Sequence, residues 1–337
     1  MSVFMKVATC IVLFFIVITI HAQDVITGTL RATQDSLAIE NASIYFNNTT
    51  IGAISNTLGD FKITRDNAIQ TELIISVLGF ETLIIPHNQL GPLGTLYLKE
   101  SIDSLDEVLL DDDTWSRERK LRAFRKYFIG ALVSASDVKI LNEKDLRLRY
   151  SATNGMLYAD SNVPIKIRNK NLGYLISYDL MDFEVTYEKS LSGYSMASKS
   201  FFVGTVFFEN MKEKTSRKIL KNRTAEYKGS LLHFLRALRD HKLEEEKYRI
   251  FLGNYETAPY APFKIMVTDK GHQVTLLEDN IQILYNQDEQ SKLEATASFS
   301  IDSFGNHSPV EVLYTGGAMA ARKVGAMLPL TFDLVKE

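Results

Sequence analysis

Between residues 24 and 110 the chain runs through seven short apolar segments, with turn residues between them and no helical period to interrupt them. They lie at 25–31, 42–46, 51–55, 60–64, 72–77, 80–85 and 95–99. Strands this short and closely spaced bury their apolar faces against one another, which predicts a small β-sandwich. The segment 50–61 shows the logic at one turn. Alternation through Ala42, Ile44 and Phe46 resumes in Phe61 and Ile63, so half-buried strands flank it. Gly59 is placed to supply a positive φ and Asn56 to open the turn. Leu78-Gly79 makes a tight connection between two strongly apolar strands, and Pro86 stops the second.

Ahead of the sandwich, Lys6 is followed by an uncharged apolar run over 7–20 and then by Ile20-His21-Ala22-Gln23. This layout predicts a secretory signal peptide over 1–22, cleaved after Ala22. The run of 14 residues falls short of the ~20 that a membrane-spanning helix needs. Val7-Ala8-Thr9-Cys10 has the look of a lipoprotein attachment box, but Cys10 opens the apolar run instead of following it. It is also the only cysteine, so the mature chain is expected to form neither disulfides nor thiolate metal sites. Removing 1–22 leaves 37 basic and 41 acidic residues, a net charge of −4, which argues against nucleic acid as a general partner. The remaining 315 residues are long for one core and point to two domains, with no later segment long enough to span a membrane.

Residues 111–130 read as an acidic linker, Asp111-Asp112-Asp113, and an amphipathic helix over 115–128 capped by Thr114. Leu121, Phe124 and Phe128 share its packing face; Arg117, Arg119, Lys120, Arg122, Arg125 and Lys126 form a solvated basic face. The acidic triplet complements the helix dipole and lacks the alternate spacing of a calcium loop. Residues 131–337 are expected to form a larger antiparallel β-rich domain, with strands at 146–152, 165–168, 174–178, 183–187, 195–208, 248–252, 263–268, 274–277, 281–285, 293–301 and 310–314. A helical insertion over about 213–241 interrupts it, with Leu231, Leu232, Phe234, Leu235 and Leu238 on a face broad enough to bury. Gly305-Asn306 and Asp269-Lys270-Gly271 read as hairpin turns.

Four pieces occur in order over 23–110: Ile26-Thr27-Gly28-Thr29-Leu30, the segment 50–61, Ser76-Val77-Leu78-Gly79-Phe80 and Leu105-Asp106-Glu107-Val108-Leu109. Together they resemble a carboxypeptidase-like regulatory domain, which implies a transthyretin-like (prealbumin-like) fold of the kind common in envelope proteins of Bacteroidota. Ala42 stands where that family often has proline. The remainder of the chain resembles a region that follows the same sandwich in exported Bacteroidota proteins, a likeness that implies no known activity. It rests on Trp115, Asn171-Leu172-Gly173-Tyr174, Tyr227-Lys228-Gly229-Ser230, His233-Phe234-Leu235-Arg236 and Met327-Leu328-Pro329-Leu330. Asp35-Ser36-Leu37 and Asp103-Ser104-Leu105 match the short pattern that resembles the O-glycosylation site of such proteins.

The family name invites a zinc peptidase. His241-Lys242-Leu243-Glu244 has the His-x-x-Glu spacing that begins such a site, with His272 or His307 as a conceivable third ligand. Its setting between Arg239-Asp240 and Glu244-Glu245-Glu246 reads as the charged, solvated end of a helix instead. There is no Gly-x-Ser-x-Gly turn, no mature cysteine and no phosphate-binding loop. No catalytic residue, metal ligand or cofactor is therefore assigned. Two binding candidates stand out. Tyr227, His233 and Arg236 gather a histidine and an arginine beside an apolar helix face, either to hold an anion or sugar or, more plainly, as a satisfied histidine and a surface arginine. Tyr255 and Tyr260, with Phe263 near Pro259 and Pro262, either line a carbohydrate surface or pack a loop.

The sequence thus predicts a mainly β protein, exported and associated with the periplasm or outer membrane, that binds or scaffolds without catalysis. Its partner is expected to be an envelope protein or a glycan, with no nucleic acid and no transmembrane span in the mature chain. Strand addition at 105–110 is one route to a partner. The alternatives are a carbohydrate-binding accessory protein of glycan uptake and, third, a hydrolase or zinc metallopeptidase.

Overall fold

The structure, a computed structural model, describes residues 24–65, 70–101, 113–131, 133–134, 136–189, 195–268 and 271–332. The signal peptide, Cys10, Asp111-Asp112, the motif at 103–105, the segment 105–110 and the turn residues Asp269 and Lys270 lie outside them. The chain is mainly β, as its pattern predicts.

The first seven strands are β1 (Asp24–Ala32), β2 (Ser43–Phe46), β3 (Gly52–Ile54), β4 (Asp60–Arg65), β5 (Leu73–Ser76), β6 (Leu83–Ile85) and β7 (Gly94–Leu98). They form two sheets, ordered β4-β1-β7 and β3-β2-β5-β6. Ile26, Leu30, Ile44, Phe46, Phe61, Ile63, Leu73 and Ile75 meet between them. At the turn into β4, the Asn56 side-chain oxygen accepts from the Leu58 and Asp60 N–H groups, both at 2.9 Å. Gly59 adopts φ +81°, and a Cβ there would sit 2.3 Å from the Leu30 carbonyl oxygen. Glycine is required by both conformation and space.

The next unit begins with α1 (Arg117–Phe124), continued by a π-turn over Arg125–Ile129. Its cap is Ser116 and not Thr114, because the extended Ser116 backbone lets its hydroxyl accept from Arg119 N–H. Phe124 and Phe128 are fully buried as expected. The basic face is not merely solvated: Arg117 donates to the Leu146 and Glu143 carbonyls, Arg119 stacks on Trp115, and Lys120 and Arg125 pair with Asp113 and Glu143. Helix and π-turn pack on a six-stranded sheet of β8 (Val138–Ile140), β9 (Arg147–Ser151), β10 (Met156–Asp160), β11 (Ile165–Asn169), β12 (Tyr174–Lys189) and β13 (Ser195–Asn210). The two strands expected at 174–178 and 183–187 are one. β12 passes its interruption by a register shift between Leu180 and Asp182 that leaves Met181 exposed.

Two helices follow, α2 (Arg217–Tyr227) and α3 (Leu231–Arg239), each capped by a serine, Ser216 and Ser230. The last unit holds β14 (Tyr248–Leu252), β15 (Tyr255–Thr257), β16 (Phe263–Thr268), β17 (Gly271–Leu276), β18 (Asn280–Tyr285), β19 (Glu289–Ala295), β20 (Phe299–Ile301), β21 (His307–Ser308), β22 (Leu313–Gly316) and α4 (Gly317–Ala321). Its sheets are ordered β15-β14-β18-β19-β22 and β16-β17-β20-β21, with Phe234, Leu235 and Leu238 of α3 in their shared core. The single strand expected over 293–301 breaks at 296–298. Residues 310–312 turn as a 3-10 helix before β22. Apart from Phe304 and Leu330, which join the sandwich core, the buried apolar side chains beyond residue 131 gather in two clusters.

The sandwich is joined to β13 by main chain. Asn48 N–H donates to the Val206 carbonyl at 2.7 Å, and Phe208 N–H donates to the Thr49 carbonyl at 3.0 Å. Between them Val206 N–H donates to the Asn47 side-chain oxygen at 2.9 Å. Tyr45 lies over Phe207 with ring centroids 5.1 Å apart, and a Cβ on Gly52 would come within 2.5 Å of that ring. Residues 322–332 then run back across the molecule, placing Val324 and Leu328 in the middle core and Leu330 in the sandwich core. Asn47→Ala strands the Val206 N–H and is expected to cost about 1–3 kcal/mol. Urea unfolding is expected to show a correspondingly lower midpoint.

Candidate ligand-binding cleft

A cleft of ≈ 470 Å³ opens where the three cores converge, within the ~300–1,000 Å³ usual for ligand sites. One wall is β13 from Ser200 to Gly204; the other is β22 with the loop at Gly305 and Asn306. Leu231 and Leu235 of α3, together with Met319, Met327 and Leu328, supply an apolar floor. A smaller cavity of ≈ 350 Å³ lies at the contact of the sandwich with β13, between Ile54 and Leu78 on one side and Lys166 and Glu209 on the other.

The charged groups of the larger cleft are unevenly satisfied. Lys323 is half-buried, and that burial lowers its pKa. Its ammonium lies 3.4 Å from the Ser200 hydroxyl and 5.5 Å from the Phe202 ring centre, with no carboxylate of the described residues in ion-pair range. Glu226 is pushed up by burial, against the pull of Arg322. Arg322 is committed through its terminal nitrogens to Glu289 and to the carbonyls of Lys228, Gly229 and Ala318. Its Nε, however, is buried without a hydrogen-bond partner among the described residues, and so is the side-chain oxygen of Asn48, on the same cleft. Unpaired buried polar atoms are uncommon and call for an explanation.

Tyr227, His233 and Arg236 do come together, but as structure. Arg236 is buried instead of lying on the surface, because its guanidinium donates to the carbonyls of Phe304, Leu330 and Phe332 and to the Tyr227 hydroxyl. His233 accepts at Nδ1 from Gly229 N–H, 3.1 Å away, which leaves Nε2 to donate to Glu246 at 3.0 Å. Tyr248 also reaches Nδ1, at 2.9 Å. Tyr255 and Tyr260 are not brought together with these residues. Tyr255 stands 82% exposed, whereas Tyr260 accepts from Leu243 N–H and packs on His241. His241 is exposed at the end of α3, and no group of three or more potential metal ligands occurs among the described residues. The cleft residues Asn48, Ser200, Glu226, Arg322 and Lys323 carry no sequence motif, since they come from separate segments that only the fold unites.

Residues 26–110 match the model of the CarboxypepD_reg-like domain, so this part of the chain is such a domain, a β-sandwich module. The resemblance read from the four ordered pieces is borne out there. No curated protein is similar enough to the chain to count as a match.

His307 on the cleft wall has its pKa lowered by burial to about 4. A base whose folded pKa lies below its unfolded value of 6.5 takes up a proton on unfolding at any pH between the two. Stability contributed by the neutral ring is therefore lost as pH falls from about 6.5 to about 4. His307→Gln is expected to flatten the pH dependence of the unfolding midpoint across that window and leave it unchanged above pH 7.

Proposed function

We propose that this protein binds or scaffolds a partner at the periplasmic or outer-membrane face of the cell envelope, without catalysis, and that the cleft beside β13 is its binding site. The observation that carries the reading is the convergence of three separate cores on one cleft lined by Asn48 and Arg322, each with a buried side-chain atom that finds no partner among the described residues. Unpaired polar atoms on a mixed apolar and charged surface suit a ligand that completes them. The N-terminal domain supports a scaffold role as well, since main-chain bonds fix it to the sheet that walls the cleft. Export follows from the charged, apolar and small-residue layout of 1–22. No helix of the described residues is long and apolar enough to cross a membrane.

A photoreactive phenylalanine analogue at Phe201, 37% exposed on the cleft wall, is expected to capture a partner in envelope preparations. The same analogue at Leu37, 65% exposed in the turn after β1, is the control. A chain that stays alone with the probe at Phe201, or equal adducts from both positions, would remove the cleft from the proposal.

A second reading, glycan binding in uptake, is favoured by the exposure of Tyr255, which offers an aromatic face to a sugar ring. It predicts glycan-array binding that Tyr255→Ala lowers at least about tenfold, whereas Tyr260 is already engaged with Leu243. Array signals indifferent to Tyr255→Ala would sink it.

A further inference from the structure

We propose that the cleft takes an extended polypeptide segment as an added strand along β13, with residues 200–204 offering the backbone groups and Lys323 receiving an acidic side chain. This inference rests on the binding reading above and names the chemistry of the partner.

β13 pairs with β12 along one side throughout its length. Among the described residues its other side is paired only at its C-terminal end, by the bridge between Thr49 and Phe207 and the bonds to Asn48 and Thr49. Those bonds show which backbone groups face outward. Val206 and Phe208 donate away from β12, so the two-residue period directs the N–H and C=O groups of Gly204, Phe202 and Ser200 the same way. These residues line the cleft. Across it stands β22, the last strand of its sheet, paired among the described residues with β19 alone. The Lys199 ammonium lies 5.6 Å from the Tyr314 ring centre, so side chains of the two strands meet across the gap.

Open edges are normally short, covered or charged, because they recruit further strands. Here one edge already recruits a strand, the loop at 47–49, and stops halfway. Asn48, whose side-chain oxygen finds no partner among the described residues, lines the cleft at that stopping point. Lys323 adds selectivity, since its ammonium lies beside Ser200 on the cleft with no carboxylate of the described residues in ion-pair range. Glu226 and Glu311 also face the cleft, which disfavours a partner with several acidic groups and suits a single one opposite Lys323.

The test uses phage-displayed random eight-residue peptides selected on the full mature chain, with the best binders resynthesised. N-methylation of alternate residues is expected to weaken binding at least about tenfold, and of the intervening residues less than about twofold, because only every second N–H of an added strand reaches its neighbour. Ser200→Pro removes one outward N–H at an edge position where proline is tolerated, and is expected to match that loss. Ser200→Ala keeps the N–H and is expected to bind within about twofold of the unaltered protein. Replacing the peptide's acidic residue by its amide is expected to weaken binding to the unaltered protein and to leave binding to Lys323→Gln unchanged. Methylation effects without alternation overturn strand addition, and the peptide series does so without altering the protein. A partner captured at Phe201 with no peptide selected overturns strand addition and keeps the binding reading; neither result obtained overturns both.

Discussion

The short parallel contact of Asn48 and Thr49 with β13 is the interaction on which the rest of the arrangement depends. It comprises two backbone bonds and one that the Val206 N–H donates to the Asn47 side-chain oxygen. Each contributes only about 0.5–1.5 kcal/mol net, yet leaving any of these buried groups unpaired costs more than forming the bond returns. That asymmetry fixes position more than it adds stability. With the main chain held, Tyr45 is set over Phe207 and against the Thr205 hydroxyl, and burial pushes the tyrosine up to about 12. Gly52 is then confined to glycine by the Phe207 ring. The same contact leaves the remaining half of the β13 edge facing the cleft.

Buried arginines perform the equivalent task for irregular segments. Arg223 is 1% exposed, stacks 3.9 Å from the Tyr174 ring centre, and donates to the Leu172 carbonyl and the Asn210 side chain. Arg236 serves the carbonyls of Phe304, Leu330 and Phe332 in the same manner. A guanidinium carries several donors in a rigid fork and accepts nothing, so it suits loop carbonyls that no helix or sheet satisfies. Gly173 completes the first of these ties, since at φ +68° it turns the chain beneath Ile219 of α2.

Much of the fold was legible because its determinants are local. The strands of the N-terminal sandwich, the turn at Asn56 and Gly59 and the buried face of α3 each follow from a period or a backbone requirement within a dozen residues. The exceptions are physical. β12 looks like two strands because a bulge at Met181 breaks the alternation without breaking the ladder. β8, β10 and β15 are strands that the sequence reading does not contain. The site was far less legible. Tyr227, His233 and Arg236 stood out as chemistry, yet their partners are distant carbonyls and a glutamate that a single helix face cannot announce. Lys323 and Ser200, far apart in the chain, become neighbours only through the return of residues 322–332. Of the residues behind the second resemblance, Leu172, Tyr174, Tyr227, Arg236 and Leu330 take part in these arginine ties.

That return path also bears on how the molecule is made. The sandwich is the first unit to be synthesised, but its apolar cluster includes Phe304 and Leu330, which are among the last described residues to appear. Contacts spanning so much of the chain form slowly, because the entropy of closing the loop must be met before the contact contributes. The first module therefore emerges with part of its interior uncovered and cannot finish packing as it is made. Completion of the beginning waits on arrival of the end, so the three units consolidate together instead of in sequence.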